Sequence, residues 1–296
     1  MLLESKPRLT ILDFVLSAVI LLLAVFIFYR IKIGLNYRWR WDFICQYIIR
    51  IDDATGKAVP GLIIRGFLIT IKLGIWSTIT ALIIGIFMGI IRSGGGLASR
   101  LAGLFYIQLI RNIPPIVLVF IFYYFLGSFI IELTGLDRIV YNSPDSVKNI
   151  LSFLFTNPAR FPVFISAVIA MGVYEGAYIT EIVRAGISSV GKGQWEAGKA
   201  LGMKRTAILK YIVLPQAIRY ILPPLAGQFI STIKDSAIVS VISVQELTFQ
   251  GLEIMASTYL TFEIWIVITL LYFILTFSCS IVFEKIFIYT RRSRSF

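Results

Sequence analysis

The 296-residue sequence contains no histidine and only two cysteines, Cys45 and Cys279. A catalytic arrangement of the Ser-His-Asp or Cys-His type therefore cannot form, and a metal site built from cysteine and histidine cannot form either. The absence of histidine also removes the side chain that most often moves protons near neutral pH. Enzymes that depend on these chemistries are excluded, and we predict no catalytic residue, no cofactor site and no metal site in this chain.

Charged residues are also scarce. They make up 15% of the chain, whereas hydrophobic residues make up 58%. A soluble domain has about 25% charged and about 45–50% apolar residues. The composition therefore indicates an integral membrane protein without room for a separate soluble enzyme domain. The net charge of +12 is explained by the Lys and Arg residues that accumulate in cytoplasmic loops of membrane proteins, so nucleic acid is not expected as a partner.

Six stretches are long and apolar enough to cross a bilayer, which takes about 20 residues. The fifth stretch is interrupted by Lys234 and Asp235, and we place Pro223 and Pro224 at the start of its helix. The loops on the side of the two chain termini carry more Lys and Arg residues, which predicts that both termini are cytoplasmic. The predicted fold is an all-α membrane protein with six transmembrane helices, at residues 11–30, 65–91, 104–131, 162–183, 224–245 and 262–284.

The loop between the fourth and fifth predicted helices, residues 184–223, contains a near match to a phosphate-binding loop. Gly193, Gly198 and Lys199 have the spacing G-x-x-x-x-G-K. Ala200, however, stands where the hydroxyl of Ser or Thr would bind Mg²⁺, and no apolar strand precedes the motif. We therefore expect no nucleotide site in this loop.

The same stretch is better explained by two short helices. One runs from Trp195 to Leu201 and ends at Gly202, since glycine commonly ends a helix. The second ends at Pro215. From these residues alone two functions stay open: an amphipathic segment held at anionic lipid headgroups, or a docking surface for a soluble partner, with a Trp-Glu-Ala ridge that fits a groove.

The residues of this stretch resemble the EAA motif of permease subunits in binding-protein-dependent ABC importers. The third motif position departs from the family, because Gly198 stands where alanine is usual. Glycine lowers helix propensity by about 1 kcal/mol, so the helix is expected to be slightly less rigid. The residues that match in order and spacing are Glu196, Ala197, Gly202, Ile212 and Pro215.

The resemblance extends beyond the loop and covers about residues 62–290. The segments that begin RNIPPIVL, GAYITEIV and QAIRYILPPL are similar to the polar amino acid branch of these permeases, the histidine, glutamine and glutamate type. The resemblance implies an importer transmembrane domain of five helices in residues 62–290. Residues 1–61 would add an N-terminal transmembrane helix and an external segment, and residues 291–296 would form a basic cytoplasmic tail.

In this family the EAA helix lies parallel to the membrane on the cytoplasmic side and docks into a groove of the ATP-hydrolysing subunit. The resemblance therefore implies that Glu196, Ala197, Leu201 and Gly202 form the coupling contact, in which alanine and glycine keep the surface low enough for close approach. ATP and Mg²⁺ would be bound by that partner. This chain itself would hold no cofactor and catalyse no covalent chemistry.

The resemblance further implies the composition of the importer and its location. Two permease subunits, either two copies of this chain or this chain with a paralogue, would assemble with two ATPase subunits and an external substrate-binding protein. The assembly would lie in the cell inner (plasma) membrane. Its substrate would be a polar amino acid, which crosses the bilayer along a pathway formed by the permeases.

Three charged residues inside the predicted spans are candidates for lining that pathway, because a charge at membrane depth usually faces a cavity or a partner. Lys234 and Asp235 either line the pathway or form a polar brace between helices. Glu175 lies near the middle of the fourth span, where its carboxylate either meets a cationic group of the substrate or pairs with Lys234. Glu181 and Arg184 are three residues apart and are expected to pair on one helix face.

Two other classes of protein compete with this interpretation. An ion-gradient-driven secondary amino acid transporter could use Glu175 and Asp235 as coupling carboxylates. Such transporters often contain inverted repeats, however, and the EAA-like stretch would have no role in one. A membrane scaffold that binds lipid through a basic amphipathic segment would leave the charges inside the spans without a role. The importer permease accounts for both features.

Overall fold

The chain divides into two compact units, residues 1–41 and residues 42–296. Part of the basic tail predicted at residues 291–296 lies outside the residues that the structure describes. The computed structural model describes residues 10–34, 37–52, 56–94 and 96–292.

The smaller unit contains one long helix, α1 (Ile11–Gly34), which covers the first predicted span. Asp13 caps its first turn by accepting hydrogen bonds from the backbone N–H of Thr10 at 2.7 Å and from the Thr10 hydroxyl at 2.8 Å. Apolar side chains lie all around the described part of the helix, a pattern typical of a helix in apolar surroundings. The role of α1 as a sixth transmembrane helix stays a prediction.

The larger unit begins with a short helix, α2 (Cys45–Ile48), and an antiparallel hairpin of the strands β1 (Ile49–Ile51) and β2 (Ala58–Pro60). The all-α prediction is wrong for this hairpin, whose strands carry the β-branched residues Ile49, Ile51 and Val59, a type favoured in strands. The side chain of Ile44 is buried in an apolar cluster with the helices that follow. The start of this segment therefore packs against the helical core.

The rest of the larger unit is helical, and its helices follow one another with short connections. The helices are α3 (Leu62–Ser93), α4 (Leu97–Asn112), α5 (Pro115–Ile121), α6 (Ser128–Thr134), α7 (Leu136–Tyr141), α8 (Asp145–Leu154), α9 (Phe161–Ser188), α10 (Lys192–Ala200), α11 (Arg205–Ile208), α12 (Leu214–Asp235), α13 (Leu247–Thr258) and α14 (Thr261–Arg292).

Five helical segments of the described residues are long and apolar enough to cross a membrane, which confirms the five core spans predicted from the sequence. Two of them contain π-helical turns, Phe122–Gly127 between α5 and α6 and Leu209–Val213 between α11 and α12. The five segments are Leu62–Ser93, Pro115–Thr134, Pro158–Ser188, Arg205–Ile242 and Thr261–Tyr289.

The third span begins later in the chain than predicted. The expected helix at residues 104–131 is broken at Ile113, whose backbone is extended, with φ −94° and ψ 134°. This conformation follows from the neighbouring Pro114, because the residue before a proline is disfavoured in a helix. Pro115 then begins α5. The helix α4 is therefore a separate element that precedes the span.

The fifth span begins earlier than predicted, because the helix runs from α11 through a π-helical turn into α12. Pro215 does not end a helix; it occupies the first turn of α12, where a missing N–H is tolerated. Pro223 and Pro224 lie inside α12 and not at its start. Membrane helices tolerate such prolines when neighbouring groups satisfy the freed carbonyls. The loop predicted at residues 184–223 is largely helical as a result.

Glycines bring α3 and α9 into close side-by-side contact. A Cβ atom on Gly85 would lie 2.5 Å from Cγ2 of Ile179, a distance that real Cβ atoms do not reach. The contact follows the small-xxx-small pattern of membrane helix pairs, because each helix carries two glycines four residues apart. These glycines are Gly85 and Gly89 on α3 and Gly172 and Gly176 on α9.

Candidate functional site

The EAA-like stretch forms the helix α10 (Lys192–Ala200), as its sequence predicts. The helix ends where Gly202 adopts the left-handed conformation, with φ 72°. The N–H of Gly202 then donates to the carbonyl of Lys199 at 2.9 Å, and the N–H of Met203 donates to the carbonyl of Gly198 at 3.1 Å. These bonds satisfy carbonyls that the end of a helix leaves free. Gly202 is the helix stop expected from the sequence.

Gly198 is buried against α11, and this contact explains why glycine replaces the usual alanine. A Cβ atom at position 198 would lie 2.7 Å from Cγ1 and 3.0 Å from Cδ1 of Ile208. The sequence predicted only that Gly198 would make the helix slightly less rigid. Instead, Gly198 faces inward and allows α10 to pack closely on Ile208.

The two faces of α10 are clearly different. Trp195 is half-buried in the apolar cluster around Ile208, and the guanidinium carbon of Arg205 lies 5.3 Å from the centre of its ring. Trp195 therefore does not belong to an exposed Trp-Glu-Ala ridge. The four residues predicted to form the docking contact are all exposed, and Leu201 is 79% exposed. They are Glu196, Ala197, Leu201 and Gly202.

The carboxylate of Glu196 makes no ion pair with any described lysine or arginine. The sequence left open that Glu196 is simply a surface partner of Lys192 or Lys199. Neither pair forms, although both lysines lie on the same short helix. Glu196 is therefore an exposed, uncompensated carboxylate on the outward face of α10.

A carboxylate bridges α3 and α9 at the end of the bundle that carries α10. Glu181 accepts a hydrogen bond from Nε of Arg184 at 2.8 Å, which confirms the pair predicted from the sequence. It also accepts a hydrogen bond from Arg92 on α3. Sequence spacing could not reveal this second contact, because the two residues are 89 positions apart. Glu181 therefore fixes the end of α3 against the end of α9.

Glu175 is completely buried between α9 and α12. Its Oε2 accepts a hydrogen bond from the side-chain amide of Gln228, and its Oε1 has no hydrogen-bond partner among the described residues. Asp235 and Thr232 also lie close enough to Glu175 to interact with it. The side chain of Lys234 is exposed, so the alternative in which Glu175 pairs with Lys234 is wrong.

The sequence analysis missed two tyrosines that neighbour Glu175 on α9 and an arginine that lies over one of them. The hydroxyls of Tyr174 and Tyr178 lie 3.2 Å apart, and the guanidinium carbon of Arg111 lies 5.0 Å from the centre of the Tyr178 ring. Tyr106 donates to the carbonyl of Val173 at 2.7 Å. The spacing of Tyr174 and Tyr178, four residues apart beside Glu175, is the signal that could have found them.

These residues form what we term the carboxyl cluster, which comprises Glu175, Asp235, Gln228, Tyr174, Tyr178 and Arg111. Its carboxyl and hydroxyl oxygens can accept hydrogen bonds from an ammonium group, and Glu175 has one oxygen free to do so. The guanidinium of Arg111 can pair with a carboxylate. The cluster thus carries complementary groups for the two charged ends of a zwitterion. Glu175 is buried in the helical core, and Arg111 is exposed at the edge of the cluster.

The family model of the binding-protein-dependent transport system inner membrane component matches residues 81–287. The glutamine transport system permease protein GlnP of Escherichia coli (strain K12) is 34% identical over 234 residues, which cover 79% of this chain and 94% of that protein. The probable glutamine ABC transporter permease protein GlnM of Bacillus subtilis (strain 168) is 29% identical over 216 residues, which cover 73% of this chain and 87% of that protein.

Solved structures give the same result. The crystal structure of an amino acid ABC transporter with histidines matches with a TM-score of 0.60 at 32% identity, over 76% of this chain and 92% of that chain. An inward-facing structure of the MetNI methionine ABC transporter shares the fold at 16% identity, with a TM-score of 0.53, over 76% of this chain and 95% of that chain. The family match and these relatives establish that this chain belongs to the inner membrane components of binding-protein-dependent transport systems, as a permease subunit and not an enzyme.

Proposed function

We propose that this chain forms the translocation pathway of an ATP-driven ABC importer for polar amino acids and docks the ATPase subunit through α10. The observation that carries the proposal is the division of α10 into two faces. Trp195 and Gly198 attach the helix to the bundle, while Glu196, Ala197 and Leu201 are exposed. The outward face thus offers a partner the exposed side chain of Leu201 and a Glu196 carboxylate that makes no ion pair among the described residues.

The remaining partners follow from this assignment. Two ATPase subunits would bind ATP and Mg²⁺, and a second permease, a copy of this chain or a paralogue, would complete the pathway. An external substrate-binding protein would deliver the amino acid. Since α10 would contact a cytoplasmic ATPase, its end of the bundle is cytoplasmic and both chain termini lie inside. The names of the relatives, which include glutamine transport systems, support an amino acid as the substrate.

The carboxyl cluster is the proposed contact of the pathway with the substrate. An amino acid carries an ammonium group and a carboxylate, and the cluster offers Glu175 to the first and Arg111 to the second. Asp235 lies beside Glu175 and would share its role. The exposed Lys234 would act at the pathway or at the second permease, since a charge within a span needs polar surroundings.

The docking is tested by reversing the charge of Glu196. In Glu196→Arg, we expect normal membrane insertion, but loss of the ATPase during purification and loss of ATP-dependent uptake. The matched control is Glu253→Arg, because Glu253 is also exposed but lies on α13, far from α10 in the chain. Retention of the ATPase by Glu196→Arg, or equal loss in both variants, contradicts docking through α10.

The energy source separates this function from an ion-gradient-driven amino acid transporter. Uptake is measured in vesicles that contain the assembled complex, with ATP inside and with an ionophore that collapses ion gradients. We expect uptake to stop without ATP and to continue with the ionophore. Uptake that continues without ATP and stops with the ionophore would instead assign Glu175 and Asp235 to ion coupling, and the ATPase would have no part in the mechanism.

A further inference from the structure

A cavity of about 620 Å³ lies at the end of the bundle that carries α10. Its walls come from the end of α3, the start of α4, the end of α9 and from α10 and α11. Four arginines line it, and the transport function described above uses none of them as a ligand contact. They are Arg92, Arg100, Arg184 and Arg205.

The charges of this cavity are not balanced. Arg92 and Arg184 share one carboxylate, that of Glu181. Arg205 donates to the backbone carbonyl of Ser93 at 3.1 Å and lies over the ring of Trp195, and both contacts leave its charge uncompensated. Arg100 has no ion pair within the described part of the chain. Four positive charges therefore face one negative charge, so the cavity favours an anion.

The other wall of the cavity is apolar. Leu97, Leu101 and Leu104 project from α4 into the lining at helical spacing, and Leu97 and Leu101 are 72% and 54% exposed. A free inorganic anion gains nothing from such a wall. A molecule that has both an anionic head and an apolar chain would place the head on the arginines and the chain along the leucines.

We propose that this cavity binds the phosphate headgroup of an acidic phospholipid, with one acyl chain along the leucines of α4. Arginine suits this ligand, because its planar guanidinium forms two parallel hydrogen bonds with a phosphate. The placement of the cavity in the cytoplasmic leaflet rests on the proposed function, whereas the binding itself does not. Because Trp195 and Arg205 belong to the lining, a bound lipid would hold α10 in position and link lipid composition to coupling.

The experiment uses the full chain in a neutral detergent and native mass spectrometry. Phosphatidylglycerol and phosphatidylcholine are titrated separately, and the affinities are compared. We expect clear preference for phosphatidylglycerol. Arg100→Gln should weaken its binding by roughly fivefold, the effect of one basic residue at an anionic membrane surface. The matched control Arg219→Gln, an exposed arginine of α12 outside the cavity, should leave the affinity unchanged.

A second pair of measurements distinguishes a lipid from free phosphate. Leu101→Ser should weaken phosphatidylglycerol binding, while inorganic phosphate should bind weakly to both forms. Arg100→Lys keeps the charge and should retain part of the affinity, which also shows that the site is folded. Phosphate binding as tight as lipid binding, equal affinity for the two lipids, or equal losses in Arg100→Gln and Arg219→Gln would each overturn the proposal. None of these results depends on ATPase docking.

Discussion

The backbone of Gly198 lies against the side chain of Ile208, so closely that a Cβ atom at position 198 would come within 2.7 Å of Ile208 Cγ1. This contact joins α10 to α11, and α11 leads without interruption into the fifth span. A force applied to α10 would therefore be passed to a membrane helix through packed atoms. A flexible loop between the proposed docking surface and the span would not transmit such a force.

We predict that Gly198→Ala, which restores the usual family residue, loosens α10. Overpacking of a dense site costs typically 1–3 kcal/mol, which exceeds the gain of about 1 kcal/mol in helix propensity. Limited digestion with trypsin, which cleaves after Lys199 and Lys204, should proceed several-fold faster. Gly193→Ala is the matched control on the same helix, since no atom lies within 4 Å of its added Cβ. Faster digestion of the control, or equal rates in both variants, would contradict the packing argument.

A second prediction concerns the glycine contact between α3 and α9. Gly85→Ala should lower the free energy of unfolding in mild detergent by about 1–3 kcal/mol, because its Cβ would lie 2.5 Å from Cγ2 of Ile179. To make room, α3 would have to move away from α9, and the packing contacts that hold membrane helices together would be lost. The expected readout is a lower melting temperature of the purified chain.

The matched control is Gly227→Ala on α12, where an added Cβ meets no atom within 4 Å. It should melt at the wild-type temperature or slightly higher, since alanine has the better helix propensity. If Gly85→Ala and Gly227→Ala have the same melting temperature, close backbone approach does not hold α3 and α9 together.

Features that depend on local sequence were predictable. Apolar length identified the five core spans, and the spacing of Glu181 and Arg184 identified their ion pair. The end of α10 at Gly202 followed from the conformational freedom of glycine. Each of these features is decided by residues that are neighbours in the chain.

Features that depend on tertiary contacts were not predictable. Glu175 meets Gln228, which is 53 residues away, and Arg92 meets Glu181 across 89 residues. The inward direction of Trp195 and Gly198 is likewise set by Ile208 on the next helix. The prolines of the fifth span misled the prediction, because a π-helical turn and membrane surroundings allow a helix to continue through them.

The third prediction concerns Glu175 and substrate transfer. Glu175→Gln keeps the size of the side chain and removes its ability to carry a negative charge when the substrate is bound. A hydrogen bond to a charged group is stronger than a neutral one by about 1 kcal/mol or more. If Glu175 accepts from the ammonium group of the amino acid, uptake into vesicles with saturating binding protein should therefore fall about tenfold. Cationic amino acids should lose more than glutamine, because they carry a second positive charge.

The control is Glu284→Gln, since Glu284 is an exposed carboxylate within the last span. Uptake by the control should equal that of the wild type, and both variants should retain the ATPase and the wild-type melting temperature. The unchanged melting temperature of Glu175→Gln separates a pathway contact from a structural one. If Glu175 only braced α9 against α12 through its hydrogen bond with Gln228, its substitution would lower the melting temperature. Unchanged rate and selectivity in Glu175→Gln would show that the carboxyl cluster does not contact the substrate.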